Sequence, residues 1–325
     1  MILINKLITT SMGWSYNFQK RVDKALSEKN YPIKFYPEIE INLDKFIVTN
    51  NFSRLQLIKL YMEHSLEELP KYVKKYNPDK IIFLEPFQMP YIQLISHGLD
   101  LPYDTFVHMN KDCKKYYPDQ PLYDYSDSLP SILTTSKYVM NTLPNKKKRA
   151  IGAPLEDFKI FENKKKNSII WAGMRVNDEA KGFSKIENII KNFPDFTFYV
   201  CANEKLNYEY NNLVNLVNLN SQEYIDLCKR CEFILSTANV ESFGFCVHDA
   251  ICYGCKPIVP KLETYLEFIP EHFTYNSLED IKNILEMQVN LNDLYSIVEP
   301  NHYLKFVDRL SEISWQLYFK ILLYV

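Results

Sequence analysis

The sequence predicts an α/β protein of two doubly wound parallel sheets, residues 1–155 and 156–325, facing each other across a cleft. Three observations predict it. Short runs rich in Ile, Val, Phe and Tyr alternate with helix-length amphipathic segments, the pattern of parallel strands joined by crossover helices. The alternation halts at "NKKKRAIGAPLEDFKIFENKKKN", Asn145–Asn167, and then restarts. A chain of 325 residues also exceeds what one compact core ordinarily uses.

The first element is a strand over Ile2–Ile8, followed by a loop through Gly13 and a helix near Tyr16–Ser27. Ile33–Tyr36 is short and strand-like. Arg54–Tyr76 carries Leu57, Leu60, Tyr61, Leu66, Leu69 and Val73 at helical spacing. Lys80–Leu84, Tyr103–His108 and Ser131–Thr135 read as buried strands, the last followed by a helix that stops at Leu143-Pro144. The charged Asn145–Asn167 run reads as a solvated boundary. Beyond it, Ser168–Gly173, Phe196–Cys201, Leu213–Leu219, Glu232–Thr237 and Lys256–Pro260 are strands. A helix over Ser221–Lys229 takes Ser221 as its N-cap. His302–Leu323 is a closing helix, expected to pack back on the first domain.

Composition narrows the function classes. Hydrophobic residues at 46% and aromatics at 14% supply ordinary packed cores and exclude wholesale disorder. No apolar run approaches the roughly 18–20 residues of a membrane span. The opening MILINKLITTSMG is too short and polar for a signal peptide. An odd count of seven cysteines without such a signal points to reduced thiols and a cytoplasmic setting. Net charge is −2, but residues 1–160 hold 22 Lys+Arg against 18 Asp+Glu, and the remainder 16 against 22. That mild basic bias is far from the footprint of a dedicated nucleic-acid binder.

Three patterns carry chemistry. Cys228-x-x-Cys231 and Cys252-x-x-Cys255 have zinc-ribbon spacing, but Cys228 and Cys231 end an apolar helix pattern that runs straight into a strand, so they read as core and no metal is assigned. There is no Gly-x-Gly-x-x-Gly and no Walker loop. In "WAGMRVNDEAKGF", Trp171–Phe183, a strand delivers Gly173, Arg175 and Lys181 flank a polar loop, and Gly182 opens a helix. Two cations beside a helix start suit a diphosphate; the alternative is an ordinary strand–loop–helix with surface cations. In "STANVESFGFCVHDAICYGCKPIVP", Ser236–Pro260, Glu241 precedes a Phe243-Gly244 turn and Asp249 follows eight residues later, read as two turns along one helix face. Two such carboxylates could hold hydroxyls, or Glu241 could simply cap the helix.

The Ser236–Pro260 stretch resembles the donor-site signature of retaining, family 4-like glycosyltransferases of the GT-B fold, and "GMRVNDEAKGF" resembles their Arg-and-Lys diphosphate loop. The resemblance covers most of the second half, and by eye is nearest to nucleobase-directed members, the tRNA-queuosine mannosyltransferase-like group and phage DNA glucosyltransferases. It implies two Rossmann-like domains, the second binding the nucleotide sugar. It also implies that Arg175 and Lys181 neutralise the leaving diphosphate, that Glu241 binds donor-sugar hydroxyls, and that Phe243 and Gly244 offer backbone N–H groups. Asp249, where the family usually has Glu, would hold the ribose. His108 matches a first-domain His near the donor sugar, and Gly13 and Gly173 lie where backbone approaches the donor.

The reaction so implied moves a hexose or similar sugar from a UDP- or GDP-linked donor to a hydroxyl with retention, with no permanently bound cofactor. No Asp-x-Asp occurs, so a divalent metal is not implied. A nucleobase in DNA or tRNA is the favoured acceptor, with Lys71, Lys74, Lys75, Lys114, Lys115 and Lys146–Arg149 as phosphate contacts and Tyr116 and Tyr117 as stacking groups. An envelope glycan or lipid-linked acceptor is the rival, and a non-catalytic sugar-nucleotide binder is the reading from another class.

Overall fold

A computed structural model describes residues 1–5, 14–36, 68–84, 101, 103–107, 111–116, 131–143, 147–207 and 210–322. Contacts divide the chain into two compact units. Unit 1 is Met1–His108, Asp119–Pro154 and Tyr303–Val325; unit 2 is Met109–Pro118 and Leu155–His302.

Unit 1 is built on a parallel sheet of β1 (Ile2–Asn5), β2 (Ile33–Tyr36), β3 (Lys80–Leu84), β4 (Tyr103–Val107), β5 (Ile132–Thr134) and β6 (Lys148–Ala150), in the order β2-β1-β3-β4-β5-β6. Ile2 pairs with Ile33 on one side and Lys80 on the other. The two-residue period of β1 sends Ile2 and Ile4 to one face and Leu3 to the other, and all three are fully buried. The first face packs against Phe18, Val22 and Ala25 of helix Trp14–Glu28 and against Phe306, Val307 and Leu310 of helix Tyr303–Leu322. Those spacings are one helical stripe each. The second face packs with Leu69, Ile81 and Phe83. Burial on both faces is why these strands read as continuous apolar runs.

Unit 2 contains β7 (Lys165–Met174), β8 (Thr197–Ala202), β9 (Leu213–Val217), β10 (Cys231–Leu235), β11 (Lys256–Pro260) and β12 (Thr274–Tyr275), in the order β12-β11-β10-β7-β8-β9. All the pairings are parallel. From β7 the chain first winds outward through β8 and β9, then returns to β10 on β7's other side and winds the opposite way. The β7/β10 junction is therefore a topological switch point, and ligands of such sheets bind outside the carboxyl ends of the strands there.

Several sequence readings shift. Lys148–Ala150, inside the run taken as a solvated boundary, is an edge strand pairing with β5; an edge position leaves its charged side chains half-buried and tolerates them. β7 begins at Lys165, so it takes in the last three residues of the same run. The helix Ser221–Arg230 is capped by Asn220, whose side chain accepts from Gln222 and Glu223 N–H while Glu223 returns the bond to Asn220 N–H. That reciprocal box outcompetes Ser221, one residue inside. Gly13, His108, Lys146, Tyr117 and the 54–67 part of the predicted helix lie outside the described residues.

Candidate functional site

Two loops leave the carboxyl ends at the switch point. One leaves β7, whose next-to-last residue is Gly173, and runs through Arg175 and Lys181 to Gly182; the other runs from β10 through Ser236 to Gly244 and enters helix Phe245–Cys252. They are stitched to each other by backbone and side chain. Thr237 Oγ1 accepts from Trp171 Nε1 (2.8 Å) and donates to Lys181 O (2.9 Å). Asn239 N–H donates to Ala180 O at 2.9 Å, and its Nδ2 to Glu179 O at 2.7 Å. Gly182 sits at φ +61°, where a Cβ would come within 2.1 Å of Thr237 O. Only glycine permits both the left-handed turn and this approach.

Across this seam Lys181 Nζ meets Glu241 Oε2 at 3.1 Å, with both side chains about a quarter exposed or less, at 26% and 18%. Burial pushes the Glu241 carboxyl up, but the Lys181 ammonium and the Ser242 and Gly244 N–H groups outweigh it and hold the carboxyl below its ordinary value. Glu241 Oε1 accepts from Ser242 N–H at 3.1 Å, and Thr264 Oγ1 donates to Glu241 O at 2.6 Å. The carboxylate is thus ionised and fixed in direction. Arg175, in the same loop as Lys181, is different: its side chain is 61% exposed and pairs with Asp178 at 3.3 Å, while Asp178 also caps Ala180 N–H. Gly173 lies against the Trp171 indole, where a Cβ would fall 2.1 Å from the ring.

Gly244, at φ +80°, is the N-cap of the helix, and no side chain caps it. Two readings are corrected by this. Glu241 does not cap the helix; it lies in the turn before Gly244, with its carboxylate turned to Lys181. The eight residues from Glu241 to Asp249 are not two helical turns, because the helix starts only at Phe245 and the chain reverses at Gly244. Asp249 is a buried residue of that helix, 6% exposed. Phe243 is buried at 1%, stacked on His248 with centroids 4.3 Å apart.

Unit 2 therefore carries Gly173, Arg175, Lys181, Glu241, Phe243, Gly244 and Asp249 on the end of β7, two adjoining loops and one helix. The sequence reading missed Thr237, Asn239, Lys185 and His248. Lys185 Nζ donates to Thr237 O at 3.3 Å, and burial holds its pKa below the ordinary lysine value. The Lys-Gly-x-x-Lys spacing was the one signal available for it. All seven cysteines are free thiols, six of them buried. Among the described residues no group of three or more His, Cys, Asp or Glu could hold a metal ion. The lysines assigned to a polyanion divide: Lys71, Lys74 and Lys75 lie in unit 1, Lys114 and Lys115 in unit 2.

No family model matches the chain. A curated relative, the tRNA-queuosine alpha-mannosyltransferase of Drosophila melanogaster, is 35% identical over 65 residues, which is 20% of this chain. The matched stretch spans only 17% of that protein's length. Among solved structures, sucrose-phosphate synthase from Thermosynechococcus elongatus superposes with a TM-score of 0.70 at 11% identity, covering 98% of this chain and 99% of the other. Anabaena HepE, solved with UDP and glucose, superposes with a TM-score of 0.66 at 11% identity, covering 96% and 98%. With its two six-stranded parallel sheets and full-length superposition on these structures, the chain has the GT-B fold of glycosyltransferases.

Proposed function

We propose that the protein is a retaining glycosyltransferase that uses a UDP- or GDP-linked sugar and acts on a hydroxyl of a modified nucleobase in DNA or tRNA. The observation that carries the reading is the Lys181–Glu241 pair at the switch point, stitched there by loops that only glycine can turn. Lys181 and Arg175 face the leaving diphosphate and stabilise the charge that develops on it as the glycosidic bond breaks. Lys181 is held in place by Glu241 before the donor arrives, so little reorganisation is needed during reaction. Glu241, ionised and oriented, accepts from donor-sugar hydroxyls. The Phe243-Gly244 turn offers backbone N–H groups to the sugar, Gly173 lets the backbone approach the diphosphate, and Asp249 accepts from the ribose. On the same reading, His108 and Gly13 are the residues of the first half assigned to the donor. The free thiols fit a reducing cytoplasmic setting.

The 65-residue similarity to a tRNA-modifying enzyme supports the nucleobase acceptor. Among the described residues no helix is long and apolar enough to cross a membrane. The test is direct. Purified protein is incubated with a panel of nucleotide sugars, and release of nucleoside diphosphate is measured; Lys181→Ala should lower turnover about 10²–10³-fold. Binding without any hydrolysis or transfer would favour a non-catalytic binder. Labelled donor is then offered with DNA, tRNA or lipid extract. Label in a nucleic acid, lost steeply as salt rises, supports the acceptor assignment; label in lipid overturns it.

A further inference from the structure

The turn that carries Glu241 is braced by a residue that the reaction as described does not use. His248 is fully buried, in the first turn of helix Phe245–Cys252. Its Nδ1 lies 3.1 Å from Gly244 O, and its own backbone N–H donates to that same oxygen at 3.0 Å. A carbonyl oxygen can only accept, so Nδ1 must carry the proton. Both lone pairs of Gly244 O are then engaged by one residue, which fixes the plane of the peptide leaving Gly244. The ring itself stacks on Phe243, 19° from parallel, and meets the edge of Phe268 at 5.6 Å. Phe243 is clamped in turn by Phe268 at 5.1 Å and Phe245 at 4.9 Å. Tyr265 also crowds Gly244, with Cε1 2.7 Å from where a Cβ would stand, and Tyr265 OH donates to Ser236 Oγ at 3.0 Å.

An ordinary apolar residue would fill the same space. What an imidazole adds is the Nδ1–H bond, and it adds it at a cost: among the described residues Nε2 is buried with no hydrogen-bond partner. A buried, half-satisfied imidazole in an otherwise aromatic cluster is a poor choice for packing alone. Burial also pushes its pKa down to about 4, so at neutral pH Nε2 stays bare. The added bond acts on the Gly244–Phe245 peptide, on one side of Gly244; on the other side, the Gly244 N–H holds the Glu241 carboxylate below its ordinary pKa.

We propose that His248 is a positioning residue for donor-sugar recognition: through its Nδ1–H bond to Gly244 O and its stack on Phe243, it sets the Ser242–Gly244 backbone that directs Glu241. This rests on the donor-site reading of the same loop. It separates sugar from diphosphate, because Lys181 and Arg175 lie on the other loop. The Nδ1–H bond therefore contributes to affinity for a nucleotide sugar and not to affinity for the bare nucleoside diphosphate.

Two measurements test it on the full-length protein. In 15N-histidine spectra, assigned by difference against His248→Gln, the His248 ring should be the neutral Nδ1–H tautomer from pH 5 to 8; an Nε2–H tautomer would overturn the proposal. His248→Phe keeps the stack and removes the donor, and His248→Asn keeps a donor within reach of the residue 244 carbonyl. For the nucleotide sugar that the wild type binds, Kd should rise about tenfold in His248→Phe and recover to within about threefold of wild type in His248→Asn. Kd for UDP or GDP alone should stay within about twofold in both. Equal losses for sugar nucleotide and nucleotide, or none, mean that His248 only packs. A wild type that binds neither removes the donor-site reading, and this role with it, whatever the tautomer.

Discussion

Two lysine–carboxylate pairs, one in each unit, show how position in a doubly wound sheet decides what a pair is for. Lys80 and Asp104 meet at 2.7 Å, with side chains 11% and 4% exposed. Lys181 and Glu241 meet at 3.1 Å, at 26% and 18%. The first pair sits at the start of β3 and near the start of β4, the end of the sheet where ligands do not bind. The second sits beyond the carboxyl ends at the β7/β10 switch point, on loops turned by Gly182 and Gly244. The chemistry is the same and the surroundings differ. The first pair is closed off and serves the fold. The second is partly open to solvent, and on the proposed function it exchanges its partner for the donor.

The comparison can be broken by crossing stability with activity. Asp104→Ala leaves the Lys80 ammonium buried without its partner and should destabilise the protein by about 3–5 kcal/mol, read by denaturant unfolding. The double variant Lys80→Met/Asp104→Leu should recover most of that loss, because the pair's desolvation cost disappears with it. Lys181→Ala should behave the opposite way. Its stability loss should be smaller, about 1–2 kcal/mol, since the pair is partly solvated and Glu241 keeps the Ser242 and Gly244 N–H groups, while donor turnover falls about 10²–10³-fold, roughly 3–4 kcal/mol of transition-state stabilisation. If Asp104→Ala impaired turnover in a fully folded protein, or Lys181→Ala unfolded it, the division of roles would be wrong.

A pH titration sharpens the picture of the second site. His248 titrates at about 4 in the folded chain against an ordinary 6.5, because burial disfavours its charged form even with Glu241 nearby. Between those values the unfolded chain binds the proton and the folded chain does not, so stability rises with pH. Lowering the pH from about 6.5 to about 4 should therefore cost about 3 kcal/mol, and His248→Phe should lose that dependence. Glu241 acts lower: its folded pKa is depressed, so its contribution is complete at neutral pH and is lost as pH falls below about 4.5 through the folded value. The smallest expected effect is that of Arg175→Ala. With its guanidinium largely exposed, it should lower donor turnover roughly tenfold and leave stability nearly unchanged.

Much of the fold was legible because buried parallel strands leave plain marks. "KIIFL" and "SIIWAG" are apolar on both faces, and the structure places both inside sheets. Where a strand lies at an edge, the mark fades. Lys148–Ala150 carries charge because one side of it is open, and Thr274–Tyr275 is too short for any period to show. The site was partly legible for a related reason. Arg175, Lys181 and Glu241 stand out as charges beside glycines, whereas His248 is concealed in an apolar helix and Thr237 works through a single hydroxyl. The spacing from Glu241 to Asp249 misled as a helical period because the left-handed turn at Gly244 cannot be seen without its φ.

A crystal structure of the protein with UDP or GDP tests the central claim most directly. The account predicts the diphosphate against Lys181 and Arg175 at the carboxyl ends of β7 and β10, with Glu241 Oε2 released from Lys181 or sharing it. Nucleotide bound elsewhere on the chain, with the Lys181–Glu241 pair undisturbed, would contradict it.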